Sequence, residues 1–290
     1  MRRNAFIEMG RRASRVAIVF GSIFILSLTA GAYAKDGNDC TEGSLKGSFG
    51  YALEGLRFPS PPSPVGVELV GAAGLLVFDG VGGLTAQDTF HTAADSTGVI
   101  GRRTGTGTYT VDSNCTGSAE IGGDYGGLSF YFAIFSGARE FAFIVTNPGT
   151  DLIGLAMTTG DEECTLASFK GTYANVRFHD YRAPFFSSVN AGLERGIVDG
   201  KGNIVFPPVV QSVNGVFSHP TASGTYTVGS NCLYTQDFVI VDGASVRFAH
   251  REGVIVDGGN QVWGISATPT NLLAVGFARL KRISRQVAND

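Results

Sequence analysis

With 290 residues, 43% of them apolar and a formal charge of −3, the chain is too hydrophobic for a disordered polymer and too acidic to grip nucleic acid through phosphate contacts. Its 41 glycines are interleaved with β-branched and aromatic residues in short runs, the composition of tightly turned strands. Apolar residues do not recur with a helical period over any long stretch, which excludes a helical bundle.

The first 34 residues read as a secretory signal peptide. Arg2, Arg3, Arg11, Arg12 and Arg15 precede an apolar run from Val16 to Thr29, and Ala32-Tyr33-Ala34 supplies a small-x-small cleavage site. The run is shorter than the ~20 residues of a spanning helix. Its removal takes away five arginines and one glutamate and moves the formal charge from −3 to −7, against binding anionic lipid by bulk charge. No later stretch holds eighteen consecutive apolar residues, so no membrane span is expected in the mature chain. The expected location is outside the cytoplasm, periplasmic or extracellular.

Beyond the leader the chain is written twice. GTYTVDSNC (Gly107 to Cys115) returns as GTYTVGSNC (Gly224 to Cys232), and Leu45-Lys46-Gly47-Ser48-Phe49 returns as Phe169-Lys170-Gly171-Thr172-Tyr173. Phe78-Asp79-Gly80-Val81-Gly82 is answered by Val198-Asp199-Gly200-Lys201-Gly202, Asn147-Pro148 by Thr268-Pro269, and Ser129-Phe130-Tyr131-Phe132-Ala133 by Ser245-Val246-Arg247-Phe248-Ala249. A period of this length is a domain and not a solenoid unit. We divide the chain into a leader (1–34), two repeats (35–160 and 161–281) and a polar tail (282–290). The short acidic connector around Asp161-Glu162-Glu163 should hold the repeats close together.

Each repeat carries seven or eight short extended runs in the spacing of an antiparallel meander. In repeat one these fall near 48–56, 67–78, 84–91, 103–111, 117–122, 128–136, 140–146 and 152–157. Within the signature, alternation puts Tyr109 and Val111, or Tyr226 and Val228, on one face and the threonines on the other. The Asp-Gly pairs suggest type I′ hairpin turns. Closing such a meander removes exposed edges, so the expected fold is all-β, two antiparallel barrels in tandem from an internal duplication. Four equivalently placed cysteines in an exported chain imply disulfides, and each repeat most simply carries its own: Cys40–Cys115 and Cys164–Cys232.

The succession of Cys40, Leu45-Lys46-Gly47-Ser48-Phe49, Phe78-Asp79-Gly80-Val81-Gly82 and Gly107 to Cys115, repeated from Cys164 to Cys232, resembles exported bacterial proteins of unknown function with calycin-like barrels, similar to the allene oxide cyclase barrel. The resemblance implies a fold. Its motifs are turns and strands, and no cyclase residue can be carried onto this chain.

Catalytic signatures are lacking. The four histidines (His91, His179, His219, His250) fall in unrelated places without HxH or HExxH spacing and are expected to be exposed or singly hydrogen-bonded, so no metal and no cofactor is expected. No GxSxG occurs, and the glycines before Tyr109 lead into a strand, not a phosphate-binding helix. The informative difference lies between the copies: Tyr51 is set against Asn175, Leu53 against Arg177 and Glu54 against Phe178. Should that face line a barrel, Asn175 and Arg177, joined by Arg247, could hold a small acidic or carbonyl-bearing ligand within apolar walls. Glu54 is a general acid or base if enclosed, and a rim residue paired with an arginine if not. Phe130, Tyr131, Phe132, Phe135, Phe141 and Phe143 are expected in the core and between the domains. The reading is a non-enzymatic exported protein that binds a small apolar or amphipathic molecule or serves at the cell envelope. The alternatives are a barrel isomerase or cyclase for a small hydrophobic substrate, and a structural or adhesive surface protein.

Overall fold

The computed structural model of the chain describes residues 39–58, 67–93, 98–160, 163–178, 180–182, 190–268 and 274–284. The leader lies outside them. Repeat one is a closed antiparallel barrel of eight strands, each hydrogen-bonded to the next: β1 (Lys46–Arg57), β2 (Glu68–Asp79), β3 (Gly83–Ala93), β4 (Gly98–Val111), β5 (Thr116–Ile121), β6 (Leu128–Phe135), β7 (Glu140–Val145) and β8 (Thr150–Thr158). β8 returns to β1, with Tyr51 opposite Ala156. No unpaired edge is left in the ring.

Repeat two closes a second ring of eight from β9 (Lys170–Phe178), β11 (Asn190–Asp199), β12 (Asn203–Phe206), β15 (Thr221–Val228), β16 (Leu233–Asp242), β17 (Ser245–Val256), β18 (Gln261–Ser266) and β19 (Ala274–Ser284). β10 (Asp180–Arg182) adds to β19, and the hairpin of β13 (Val210–Val213) and β14 (Val216–Ser218) adds to β11. Strand β19 runs through Ser284, past the expected start of the tail. The Arg282 guanidinium donates to Tyr173 Oη at 2.9 Å and to the Ser168 carbonyl at 3.0 Å, and these bonds hold the strand end down.

The duplicated motifs are scaffold. Tyr109 points inward and its hydroxyl donates to the carbonyls of Glu42 and Leu45, while Tyr226 does the same to Leu166 and Phe169. Each tyrosine thereby pins the short 3-10 turn that enters its barrel. Each signature cysteine closes the turn that follows its strand, in the left-handed region, with φ 65° at Cys115 and 68° at Cys232. The disulfides are Cys40–Cys115 and Cys164–Cys232, as the repeat implied, and they place the chain in an oxidising environment.

The turns after Phe78 and Val198 depart from the type I′ expectation. Asp79 does not take positive φ; its carboxylate instead accepts the N–H groups of Val81 and Gly83 in a longer loop, as Asp199 accepts those of Lys201 and Asn203. The Asp-Gly pair acts through its side chain, as in an Asx turn.

Barrel one is solid. Phe49, Phe78, Phe132 and Phe141 pack edge-on or tilted in its interior, with Phe130 and Phe143 beside them. Inward glycines make the room: a Cβ at Gly154 would lie 2.1 Å from the Phe143 ring, and one at Gly117 2.5 Å from Phe132. Tyr131 and Phe135, on the alternate face of β6, are exposed, so they take no part in the packing between domains expected of them.

The barrels touch across a largely apolar face. Outward residues of β1 to β3 are small where barrel two arrives: a Cβ at Gly50 would sit 2.4 Å from Val256, and one at Gly71 2.5 Å from Phe277. Ala52, Leu75, Met157, Val254, Val256 and Trp263 form one buried cluster between the two rings. Leu69 and Ala93 enclose Val275 in a second.

Candidate ligand site

Strand register gives the correspondence between the two interiors. Ala119 lies opposite Tyr109 as Gln236 lies opposite Tyr226, and Phe130 lies opposite Ala119 as Arg251 lies opposite Gln236. This corrects the pairing of SFYFA with SVRFA: the counterpart of Phe130 is Arg251, and Ser129 corresponds to His250. Both of the latter have their N–H capped from the next strand connection, by Asn147 Oδ1 at 2.7 Å and Thr268 Oγ1 at 2.9 Å. The SVRFA similarity arises from alternation alone.

Along this register the second interior trades apolar bulk for polar groups and glycine. Phe132 becomes Gly253 and Phe143 becomes Gly264, with Tyr234, the counterpart of Gly117, filling part of the space. Tyr51 opposite Gly74 becomes Asn175 opposite Glu194. The half near the disulfide stays apolar, with Phe169, Tyr173, Ile204 and Ile255 in one core. The other half carries Asn175, Glu194, Gln236 and Arg251.

These polar residues are deeply enclosed and unevenly satisfied. Asn175 Nδ2 donates to Glu194 Oε2 at 3.0 Å, and its Oδ1 accepts the Arg279 backbone N–H at 3.1 Å. Gln236 is 1% exposed, and neither its amide nitrogen nor its amide oxygen has a partner among the described residues. Arg251 Nη1 and the Tyr234 hydroxyl are likewise buried without one. The Arg251 guanidinium stands 5.2 Å from the Phe238 ring centroid, stacked but short of hydrogen bonds. Burial pushes the Tyr234 hydroxyl up to about 12 against the pull of Arg251, so it is a neutral donor at any ordinary pH. An unsatisfied buried polar group costs about 1–3 kcal/mol, and grouped exceptions call for an explanation.

Barrel one at the matching depth is different. Asp88 takes both Arg103 Nε (3.0 Å) and Nη2 (2.6 Å) and also the Tyr51 hydroxyl, while Tyr125 stands 3.4 Å from Tyr51. Arg103 lies over the rings of Phe90 and Tyr125 at 4.7 and 4.5 Å. Burial disfavours its charge, but Asp88 outweighs this and holds its pKa above the ordinary arginine value; burial first and Asp88 second raise both tyrosines. This cluster spends its donors on its own acceptors.

No protein-family model matches this chain, and no curated protein matches it. The chemistry of the second interior is therefore read from its own residues.

Of the residues singled out from sequence, Asn175 lines the second barrel. Arg177 stands two positions further along β9, opposite Gly192, and its side chain lies outside the described residues. Arg247 is on the same row of β17 as Arg251, toward the hairpin tip, and is exposed at the barrel end. Glu54 is on the outside of barrel one, paired with Arg279 Nη2 at 3.3 Å. Gln236 and Arg251 escaped notice because the similarity of SVRFA to SFYFA shifted the alignment; the Asn147 and Thr268 caps were the signal that could have corrected it.

Of the histidines, His250 differs from expectation, and His179 lies outside the described residues. His91 is fully buried between the barrels, its Nδ1 2.9 Å from the Ser266 carbonyl. His250 bridges two carboxylates, Nδ1 to Asp237 at 2.7 Å and Nε2 to Glu252 at 3.0 Å, and Glu252 also binds Arg102 and Thr89 of barrel one. Glu252 raises the His250 pKa first, burial opposes, and Asp237 adds to the rise. Burial works against Glu252's charge, but bonds from His250, Thr89 and Arg102 bring its pKa to about 2. A raised histidine contributes stability below its unfolded pKa of about 6.5 that is lost as pH rises through the folded value. A depressed carboxylate contributes above about 4.5 and loses it as pH falls toward 2. Thermal melts from pH 3 to pH 9 should therefore peak near pH 5–6, and His250→Gln should flatten the alkaline limb and also shrink the acid limb, because the His250 bond is the first of those that hold the Glu252 carboxylate down. An unchanged alkaline limb would remove this role for His250.

Proposed function

We propose that the protein is an exported, non-enzymatic carrier or sensor whose second barrel encloses a small amphipathic molecule with an acidic or carbonyl-bearing head. The observation that carries the reading is Gln236, buried with both amide atoms unpartnered beside Arg251 Nη1 and the Tyr234 hydroxyl. A head group taking hydrogen bonds from the Arg251 guanidinium and the Gln236 amide would satisfy them. Eight-stranded barrels of the calycin kind are just wide enough to hold one small ligand. The leader and the two disulfides support export to the periplasm or beyond. Barrel one, packed with phenylalanine, serves as the scaffold.

Native mass spectrometry of mature protein recovered from the periplasm or medium tests this. The expected result is a discrete additional mass that disappears on denaturation and is missing from Arg251→Met. Protein that emerges bare, and stays bare after incubation with mixed medium-chain fatty acids and their amides, would sink the reading.

A further inference from the structure

The unpartnered atoms of the second interior stand on one wall and are of both kinds, donor and acceptor. Tyr234, Gln236 and Phe238 follow one another on the inner face of β16, and Arg251 lies directly opposite Gln236 on β17. The Arg251 guanidinium leans on the Phe238 ring, 5.2 Å from its centroid, and the Tyr234 hydroxyl reaches across β17 toward β18, 2.2 Å from where a Cβ on Gly264 would stand. Gln236 sits between the two. The Glu194 carboxylate is bonded to Asn175 on the opposite wall, four strands round the ring.

Hydrogen-bond capacity separates the classes of occupant. Gln236 presents a donor and an acceptor side by side, both without partners, and turning the amide over exchanges them and leaves the same need. Arg251 Nη1 adds a second unmet donor, on a charged group that stacks on a ring in place of a carboxylate. A plain carboxylate offers acceptors only: it answers Arg251 and the Gln236 nitrogen and leaves the Gln236 oxygen buried and unmet. A neutral amide answers both ends of Gln236 and leaves the buried guanidinium without a counter-ion. A carboxylate with an O–H or N–H on the neighbouring carbon answers all three atoms. Its acceptor and donor are adjacent, as the two ends of the glutamine amide are.

We infer that the ligand head is a carboxylate with a hydrogen-bond donor on the adjacent carbon, of which the α-hydroxy acids are the simplest, and that Gln236 selects it. The inference rests on the reading that the second barrel encloses a ligand. The carboxylate seats on Arg251 and the Gln236 nitrogen, and the α-hydroxyl donates to the Gln236 oxygen. Arg251 supplies affinity for any acid. Gln236 supplies the choice among acids, because a buried polar atom discriminates against the analogue that leaves it unpaired. Barrel one has no means to make this choice, since Ala119 and Phe130 occupy the matching positions.

Isothermal titration calorimetry of the mature protein at neutral pH tests the inference, with butanoate, hexanoate and octanoate, their α-hydroxy derivatives and the corresponding amides as probes. At the chain length that binds best, the α-hydroxy acid should bind at least about 10-fold more tightly than either the parent acid or the amide, the effect of one buried group left unmet. Gln236→Leu, its fold checked by a thermal melt, should bring the two acids to equal affinity, whereas Arg251→Met should weaken both. A parent acid that binds the wild type as tightly as its α-hydroxy derivative would overturn the inference while leaving an acid-binding barrel in place. An amide equal to the α-hydroxy acid, or a preference that persists in Gln236→Leu, would overturn it too. Failure of every probe to bind, together with a bare native mass, removes both this inference and the reading beneath it.

Discussion

Gln236→Ala combined with Arg251→Phe is expected to raise the melting temperature by roughly 5–10 °C and to abolish ligand capture. The two substitutions install what barrel one carries at these positions, Ala119 and Phe130. They remove three of the buried atoms without partners, and relief of about 1–3 kcal/mol per group sets the size of the gain. The stacking of Arg251 on Phe238 is lost, but an aromatic ring in its place offers an edge or offset contact of similar worth, about 0.5–1.5 kcal/mol. Differential scanning calorimetry with native mass spectrometry on the same sample reads both effects. A more stable protein without ligand means that the polar half is held against stability for binding. A less stable protein that keeps its captured mass would show that Gln236 and Arg251 are structural and that the ligand lies elsewhere.

Gly50→Leu is the second large effect, and it concerns how the barrels are joined. The Cβ alone would lie 2.4 Å from Val256 Cγ1 and 2.7 Å from Val254 Cγ2, inside a cluster with no slack. Overpacking of this kind costs about 1–3 kcal/mol, or more where two closed rings cannot yield, so the melting temperature should fall by at least about 5 °C. Gly50→Ala should cost less, since it adds the Cβ alone, but Val254 and Val256 must still move aside for it. A melt unchanged in Gly50→Leu would mean that the barrels separate readily and that the shared face contributes little.

The motifs that recur in the chain were legible because they are local. Asp79 and Asp199 close their own loops, and Tyr109 and Tyr226 anchor the turn that starts each barrel. Alternation of apolar residues in short runs marked the strands, and equal placement of four cysteines marked the two bridges. Asn175 was visible because it replaces Tyr51 in a strand aligned by a glycine-tyrosine motif close by. Gln236 and Arg251 were not, since only register across β15, β16 and β17 shows that they face one another within the ring. Register depends on hydrogen bonds between distant segments, and a run such as SVRFA satisfies alternation in more than one register.

The sequence by itself determined the duplication, the all-β class, the closure of each repeat by its own disulfide and the small residues that let strands approach. It could do so because each rests on neighbouring residues or on a count. Only the tertiary structure decided which barrel interior is aromatic and which carries polar groups, which polar side chains are enclosed without partners, and which outer faces are used between the barrels. Those properties depend on which side of a strand meets which neighbour, and closing a ring settles that for all eight strands at once.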